Sequence, residues 1–219
     1  MKFVSLLSYL NIFFIKFRNW LKYDFYILKK GLSKENKIFT HLTLEEKVCL
    51  HKFLFNNKDK ILNAVEIGSY LGASSAFIAS ALEDHKRVFC IDTWNNNAMS
   101  EGERDTYPIF CKNISKYKKR IVPLRGWSFD VIHNLKKNIN KIDFLFIDGD
   151  HSYEGCKNDW DNYSKLLKNG FFIAFHDTGW ADGVKKVIYQ DVHFIADKII
   201  ELPNLQIFRF RGKDEAKVF

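Results

Sequence analysis

The chain has 219 residues, 47% of them hydrophobic and 21 of them Phe, enough for one α/β domain with its own core plus an appendage. Its four cysteines, Cys49, Cys90, Cys111 and Cys156, show no C-x-x-C spacing, which argues against a disulfide framework or a Cys-rich zinc site and fits a reducing cytoplasm. The formal charge of +8 is concentrated in the first forty residues, where eight basic residues face two acids, so the rest of the chain has no electrostatic support for a nucleic-acid groove.

Residues 1–40 read as a basic, aromatic, helical leader and residues 41–219 as the main domain. From Phe3 to Leu28 the leader is apolar and aromatic, but Lys16, Arg18 and Lys22 interrupt it well short of the roughly 20 consecutive apolar residues a membrane span needs. No small-x-small cleavage site follows the stretch Phe3 to Ile15, which argues against secretion. Two readings stay open. Residues 1–30 suit peripheral contact with anionic lipid at the inner face of a membrane, or a helix packed on the domain or on a second subunit of a homo-oligomer.

Thr43-Leu44-Glu45-Glu46 has the form in which a hydroxyl and a carboxylate satisfy each other's helix-start amides. A helix to about Leu54 follows, with Leu44, Val48 and Phe53 among its buried positions. From Ile61 short apolar runs alternate with helical patterns: strand Ala64 to Ile67, helix Ala73 to Leu82, strand Val88 to Ile91. Next come a polar loop, Trp94 to Tyr107, and a helix to about Tyr117. The loop is long enough to cover a crevice, though an inert surface loop would look the same. Strand Ile121 to Leu124 and helix Ser128 to Leu135 precede a strand ending at Ile147. On the next helix Cys156, Trp160, Tyr163 and Leu167 recur at helical spacing, with Gly170 as its stop. Phe171 to Phe175 is a further strand, and Ile199 to Leu202 with Leu205 to Arg211, joined at Pro203-Asn204, form an antiparallel pair at the sheet edge. The alternation predicts a doubly wound α/β sheet, mostly parallel, with helices on both faces.

Two apolar strands end in charge: Phe144-Leu145-Phe146-Ile147 at Asp148-Gly149-Asp150-His151, and Phe171 to Phe175 at His176-Asp177. Open α/β sheets hold ligands past the carboxyl ends of their strands. The bland alternative is that Asp148, Asp150 and Asp177 only start turns and cap helices.

The first crossover, Val65 to Gly72, decides which ligand. A dinucleotide fingerprint starting at Gly68 would need Gly where Tyr70 and Ala73 stand, and no Gly-rich phosphate loop ending in Gly-Lys-Ser/Thr occurs. S-adenosylmethionine carries no phosphate. Glu66 can face its ammonium head directly or through water, Gly68 and Gly72 let the backbone approach, and Asp92 can accept from both ribose hydroxyls. Gly126-Trp127-Ser128 can meet the adenine, although Ser128 is equally placed as a helix N-cap.

Taken together, Val65 to Ser75, Cys90 to Trp94, Phe146 to Gly155, and Gly170 followed by His176-Asp177 resemble the class I S-adenosylmethionine-dependent methyltransferases over roughly Ile61 to Asp177. The group concerned is similar to metal-assisted sugar O-methyltransferases and to proteins named cephalosporin hydroxylases. The resemblance implies a Rossmann-like, seven-stranded sheet and cofactor contacts at Glu66, Gly68, Ser69, Asp92 and Ser128. It also implies Mg²⁺ held by Asp148 and Asp177, with His151 as general base. Thr178 stands where the metal-assisted enzymes carry a second acid, which weakens the case for metal.

A sugar hydroxyl is a poor nucleophile near neutral pH. A hard cation would lower its pKa and His151 could take the proton. The expectation is therefore methyl transfer to a glycan or another small hydroxyl acceptor. His176 reads as a structural residue, and Tyr153 and Glu154 as groups that order the same loop or simply pack. A non-catalytic scaffold held at a membrane or in a complex by its leader is the reading from another class, and an NAD-dependent oxidoreductase is a third that Tyr70 opposes.

Overall fold

The computed structural model describes residues 20–96 and 102–212, together with Phe14 and Arg18. The leader's remaining positions, 1–13, 15–17 and 19, and the centre of the polar loop, 97–101, lie outside the described residues.

A π-helical turn, Trp20–Asp24, runs into α1 (Phe25–Lys30), which ends at Gly31. Tyr23 and Ile27 pack with Leu32, Val48 and Phe77, and the Tyr26 hydroxyl lies 2.7 Å from His51 Nδ1. Part of the leader is thus seated on the domain. α2 (Leu44–Asn57) starts with the expected reciprocal cap: Glu46 N donates to Thr43 Oγ1 and Thr43 N to Glu46 Oε2. Val48 and Phe53 are buried as expected, whereas Leu44 is only half-buried.

The alternating part follows as β1 (Asn63–Ile67), α3 (Ala73–Ala81), β2 (Arg87–Asp92), α4 (Tyr107–Asn113), β3 (Ile121–Arg125), α5 (Ser128–Asn138), β4 (Ile142–Ile147), α6 (Tyr153–Tyr163) and β5 (Leu167–His176). Two short elements, α7 (Asp182–Val187) and a π-helical turn Ile188–Val192, precede β6 (Ala196–Glu201) and β7 (Leu205–Phe210). One seven-stranded sheet runs in the order β3-β2-β1-β4-β5-β7-β6, parallel except for β7, which is antiparallel to both of its neighbours.

Alternate side chains of each strand point to opposite faces. Ala64, Cys90, Phe144, Phe146, Phe172 and Ala174 share a core with α2, α3 and α4. Val65, Phe89, Leu145, Ile147, Ile173 and Phe175 share the other with α5, α6 and α7. β4 is buried at every position; its apolar run Phe144 to Ile147 follows Asp143, whose Oδ2 accepts from Leu62 N and Asn63 N.

One boundary differs from the sequence reading. α6 stops at Tyr163 and a 3₁₀ turn follows, so Leu167 opens β5, opposite Ile142, and Gly170 lies within that strand at φ +83 instead of stopping a helix. Cys156, Trp160 and Tyr163 do form the buried stripe. Leu167 continues their spacing by coincidence, because a strand start also needs an apolar residue.

The register aligns Ile67 with Ile91 and with Ile147, and Ile147 with Phe175, so four strands end level. β1 and β4 are neighbours from which the chain winds in opposite directions, the switch point at which such sheets open a crevice. There the backbone of the first crossover lies against the end of β4. Gly68 sits at φ +88, and a Cβ on it would come within 1.9 Å of the Asp148 carbonyl oxygen. Gly68→Ala therefore combines a left-handed backbone with a backbone clash. It should cost at least about 3 kcal/mol in chemical denaturation; a loss under about 1 kcal/mol would show that the crossover is free to shift.

Candidate active site

The level strand ends open into a cleft of about 800 Å³ lined by the crossover after β1, the ends of β2, β4 and β5, the start of α5, and the segment 39–42 before α2. Of the sequence-predicted residues, Gly68, Ser69, Asp92, Ser128, Asp148, His151 and Asp177 line it. Glu66 and Gly72 do not.

Glu66 is fully buried behind Ser69, which lines the cleft. Its Oε2 accepts from Ser69 Oγ at 2.7 Å and from Ser75 Oγ. Burial, outweighing these hydroxyls, pushes its pKa up. In this position Glu66 braces the loop. Gly72 is left-handed at φ +86 and starts α3, and a Cβ there would press on Ile114 and Phe110. Its missing side chain makes room for Phe110 and Ile114 at α4.

Three of the crossover amides are bonded within the protein. Gly68 N donates to Ile91 O, Gly72 N to Ser69 O and Tyr70 N to Asp92 Oδ2. The other oxygen of Asp92 accepts from Trp94 N at 2.6 Å. Burial raises the Asp92 pKa while these backbone bonds oppose it. Asp92 nonetheless lines the cleft, and a carboxylate oxygen can accept more than one hydrogen bond. Trp94 is fully buried and its indole nitrogen donates to Tyr70 O, so the described base of the polar loop is packed onto the crossover.

Ser128 is the first residue of α5 and makes no cap hydrogen bond. Its hydroxyl donates to Asp159 Oδ1 and its carbonyl accepts from Tyr163 OH at 2.7 Å. Burial pushes Asp159 up to about 7. Trp127 and Phe129, both about half exposed, stack at 6.1 Å on the rim beside it.

At the other end of the cleft Asp148, His151 and Asp177 each offer a ligand atom, all within 4.8 Å of one another. His151 Nε2 lies 2.7 Å from Asp177 Oδ2, and its Nδ1 makes no hydrogen bond among the described residues. Asp177 takes a left-handed backbone, φ +58, and its carbonyl accepts from Ala181 N. Its Oδ1 accepts from Trp180 Nε1 at 2.7 Å and from Asn204 Nδ2 at 3.0 Å. The buried His176 imidazole holds the group together: Nδ1 is 3.0 Å from Asp148 Oδ1 and 3.3 Å from Asp177 Oδ1, and Nε2 is 3.4 Å from Glu46 Oε2. Burial alone would lower the pKa of His176, but three carboxylates outweigh it and hold the ring as a cation. For Asp177 the bonds to His151, His176 and Asn204 outweigh burial and keep it ionised, whereas burial pushes Asp148 up. The hydrogen bond that its Nε2 gives to Asp177 raises the pKa of His151.

Asp150 stays out of this cluster. Its Oδ1 accepts from Ser152 N, the turn-forming role considered for it, and Ser152 caps α6. Thr178 is buried, its hydroxyl has no hydrogen-bond partner among the described residues, and it is not one of the cluster's ligand groups. Glu46 read only as a cap, Asn204 as a turn and His176 as structural. Asp159 lay unnoticed, though a carboxylate beside the apolar stripe of α6 was its visible signal. Trp180 gave no periodic signal at all.

The sequence pattern that defines the methyltransferase domain family matches residues 65–178. An uncharacterized protein of Acanthamoeba polyphaga mimivirus is 30% identical over 121 residues, 53% of this chain, and the match spans about half, 51%, of that relative's length. Among solved structures, the O-methyltransferase TomG from Streptomyces achromogenes, involved in tomaymycin synthesis and solved in complex with SAM, superposes with a TM-score of 0.62 at 14% identity, covering 78% of this chain and 82% of TomG. An O-methyltransferase from Bacillus cereus in complex with SAH gives 0.59 at 15% identity, over 85% and 90%. At such identities these likenesses establish the shared fold. The match over residues 65–178, which contains Asp92, Asp148, His151 and Asp177, places the chain in the methyltransferase domain family, on the class I Rossmann-like fold.

Proposed function

We propose that the chain is an S-adenosylmethionine-dependent O-methyltransferase acting on the hydroxyl of a sugar or another small ring-bearing acceptor. The observation that carries the cofactor reading lies in the backbone of the first crossover. Gly68, Tyr70 and Gly72 donate their amides to protein oxygens, which takes these three donors away from any pyrophosphate, while the Asp92 carboxylate lines the cleft. A phosphate-free nucleoside with a ribose diol fits that surface. The rim formed by Trp127, Ser128 and Asp159 suits a flat, hydrogen-bonding base.

When bound, S-adenosylmethionine supplies a methyl group on a good leaving group, which leaves the protein to align the acceptor and ready its oxygen. His151 takes the acceptor's proton at Nδ1, with Asp177 orienting the ring through Nε2 and favouring its charged form. The exposed Trp180 indole, pinned through Nε1 to Asp177 and 5.0 Å from the His151 ring, offers a flat apolar face beside these groups, which supports an acceptor carrying a ring. The oxygen-rich set of Asp148 and Asp177, with His151 in reach of the same point, fits a hard divalent cation such as Mg²⁺, which would lower the acceptor hydroxyl's pKa there.

S-adenosylmethionine at about 100 times its dissociation constant should stabilise the protein by about 2.7 kcal/mol in a thermal melt. Asp92→Ala should weaken its calorimetric affinity at least about tenfold. No thermal shift would contradict the cofactor, and unchanged affinity in the variant would contradict the ribose contact. With a sugar acceptor, His151→Ala should lower kcat at least about a hundredfold while cofactor affinity holds. Wild-type turnover in this variant would remove His151 from the proton's path. A chelator should abolish turnover and Mg²⁺ restore it; indifference to both would rule out the metal.

A further inference from the structure

The short helical stretch 20–30 is apolar on two opposite faces. Tyr23 and Ile27 are buried against the domain at 8% and 3% exposure. Leu21, Phe25 and Leu28 recur at i, i+4 and i+7 on the other side and are 50%, 56% and 62% exposed. A helix apolar on both sides has something on each. Exposed Arg18, Lys22 and Lys29 accompany the outer face, and the ionic partner of Lys22 among the described residues is the Glu45 carboxylate, 3.8 Å away. Asp24 and Glu35 are the only acids in the first forty residues, against eight basic residues, and Glu35 is buried and bonded to Lys116 and Tyr117.

We propose that this outer face is a membrane-docking surface, with Leu21, Phe25 and Leu28 entering the interfacial region of an anionic bilayer while Arg18, Lys22 and Lys29 meet its headgroups. The charge chooses the occupant. A second copy seated on the same face across a two-fold axis would oppose one excess of positive charge with another inside the screening distance of about 8 Å at physiological salt. A surface of acidic phospholipid supplies the opposite sign and an apolar layer together. No helix among the described residues is long and apolar enough to cross a membrane, so the contact is peripheral. It stands independently of methyl transfer.

The full chain should co-sediment with phosphatidylcholine vesicles containing about one third phosphatidylglycerol, bind pure phosphatidylcholine far more weakly, and detach as salt is raised. Lys22→Gln or Lys29→Gln should each weaken partitioning about fivefold. Leu21→Ser/Phe25→Ser/Leu28→Ser should abolish it with an unchanged melting temperature. Failure to bind the anionic vesicles, or undiminished binding by the triple variant, would overturn the proposal. So would a dimer in sedimentation that the triple variant dissociates, which would make a second copy the occupant. A melting temperature several degrees lower in that variant would show the face covered from within the chain, with the same consequence.

Discussion

Everything at the cleft depends on the contact between Gly68 and the Asp148 carbonyl. The crossover leaves β1 at the switch point of the sheet and has to turn towards α3, yet β4 ends level with β1 and occupies the space beside it. Only a residue without a side chain, in a left-handed conformation, passes there. That passage sets the loop low enough for Tyr70 N to reach Asp92 and for Glu66 to brace it through Ser69 and Ser75. The ends of β2 and β4 are then brought to opposite sides of one hollow, with the carboxylate suited to a ribose at one end and the acidic rim at the other.

The acidic rim has its own internal logic. Asp148, Asp177 and Glu46 converge on one buried imidazole, and three carboxylates so close would be untenable without the cation they share. Two of the three come from the strand ends. The third comes from the cap of α2, where Glu46 Oε2 also accepts from Thr43 N. The start of a helix far upstream is thereby tied to the chemistry, and the segment 39–42 just before it forms part of the cleft wall. The leader packs on this same helix through Tyr26 and His51.

The strand-helix alternation was legible because the short apolar runs of the central strands alternate with helical patterns, and Phe144 to Ile147 and Phe172 to Phe175, buried on both faces, end in charge. The antiparallel pair was legible from Pro203-Asn204 between two alternating segments. α7 was not, since six residues with only Val184 and Val187 buried give no periodicity to count. Gly170 misled because a strand glycine and a helix-stopping glycine look alike in sequence. Asp92, Asp148, His151 and Asp177 stood out as charges at strand ends, and all four line one cleft. Glu66 and Gly72 belong to the same motif, but the Glu66 carboxylate is taken up by Ser69 and Ser75, and the space a side chain would need at Gly72 is filled by Phe110 and Ile114. His176, Glu46 and Asn204 were hidden because each has an ordinary local role, and only the tertiary fold brings them to Asp177.

A crystal structure with S-adenosylhomocysteine tests the central claim most directly. The ribose hydroxyls should lie within hydrogen-bonding distance of Asp92, the adenine against the Trp127 and Ser128 rim, and the sulfur facing Asp148 and His151. Ligand absent from the cleft at saturating concentration, or bound with its sulfur turned away from that pair, would contradict it.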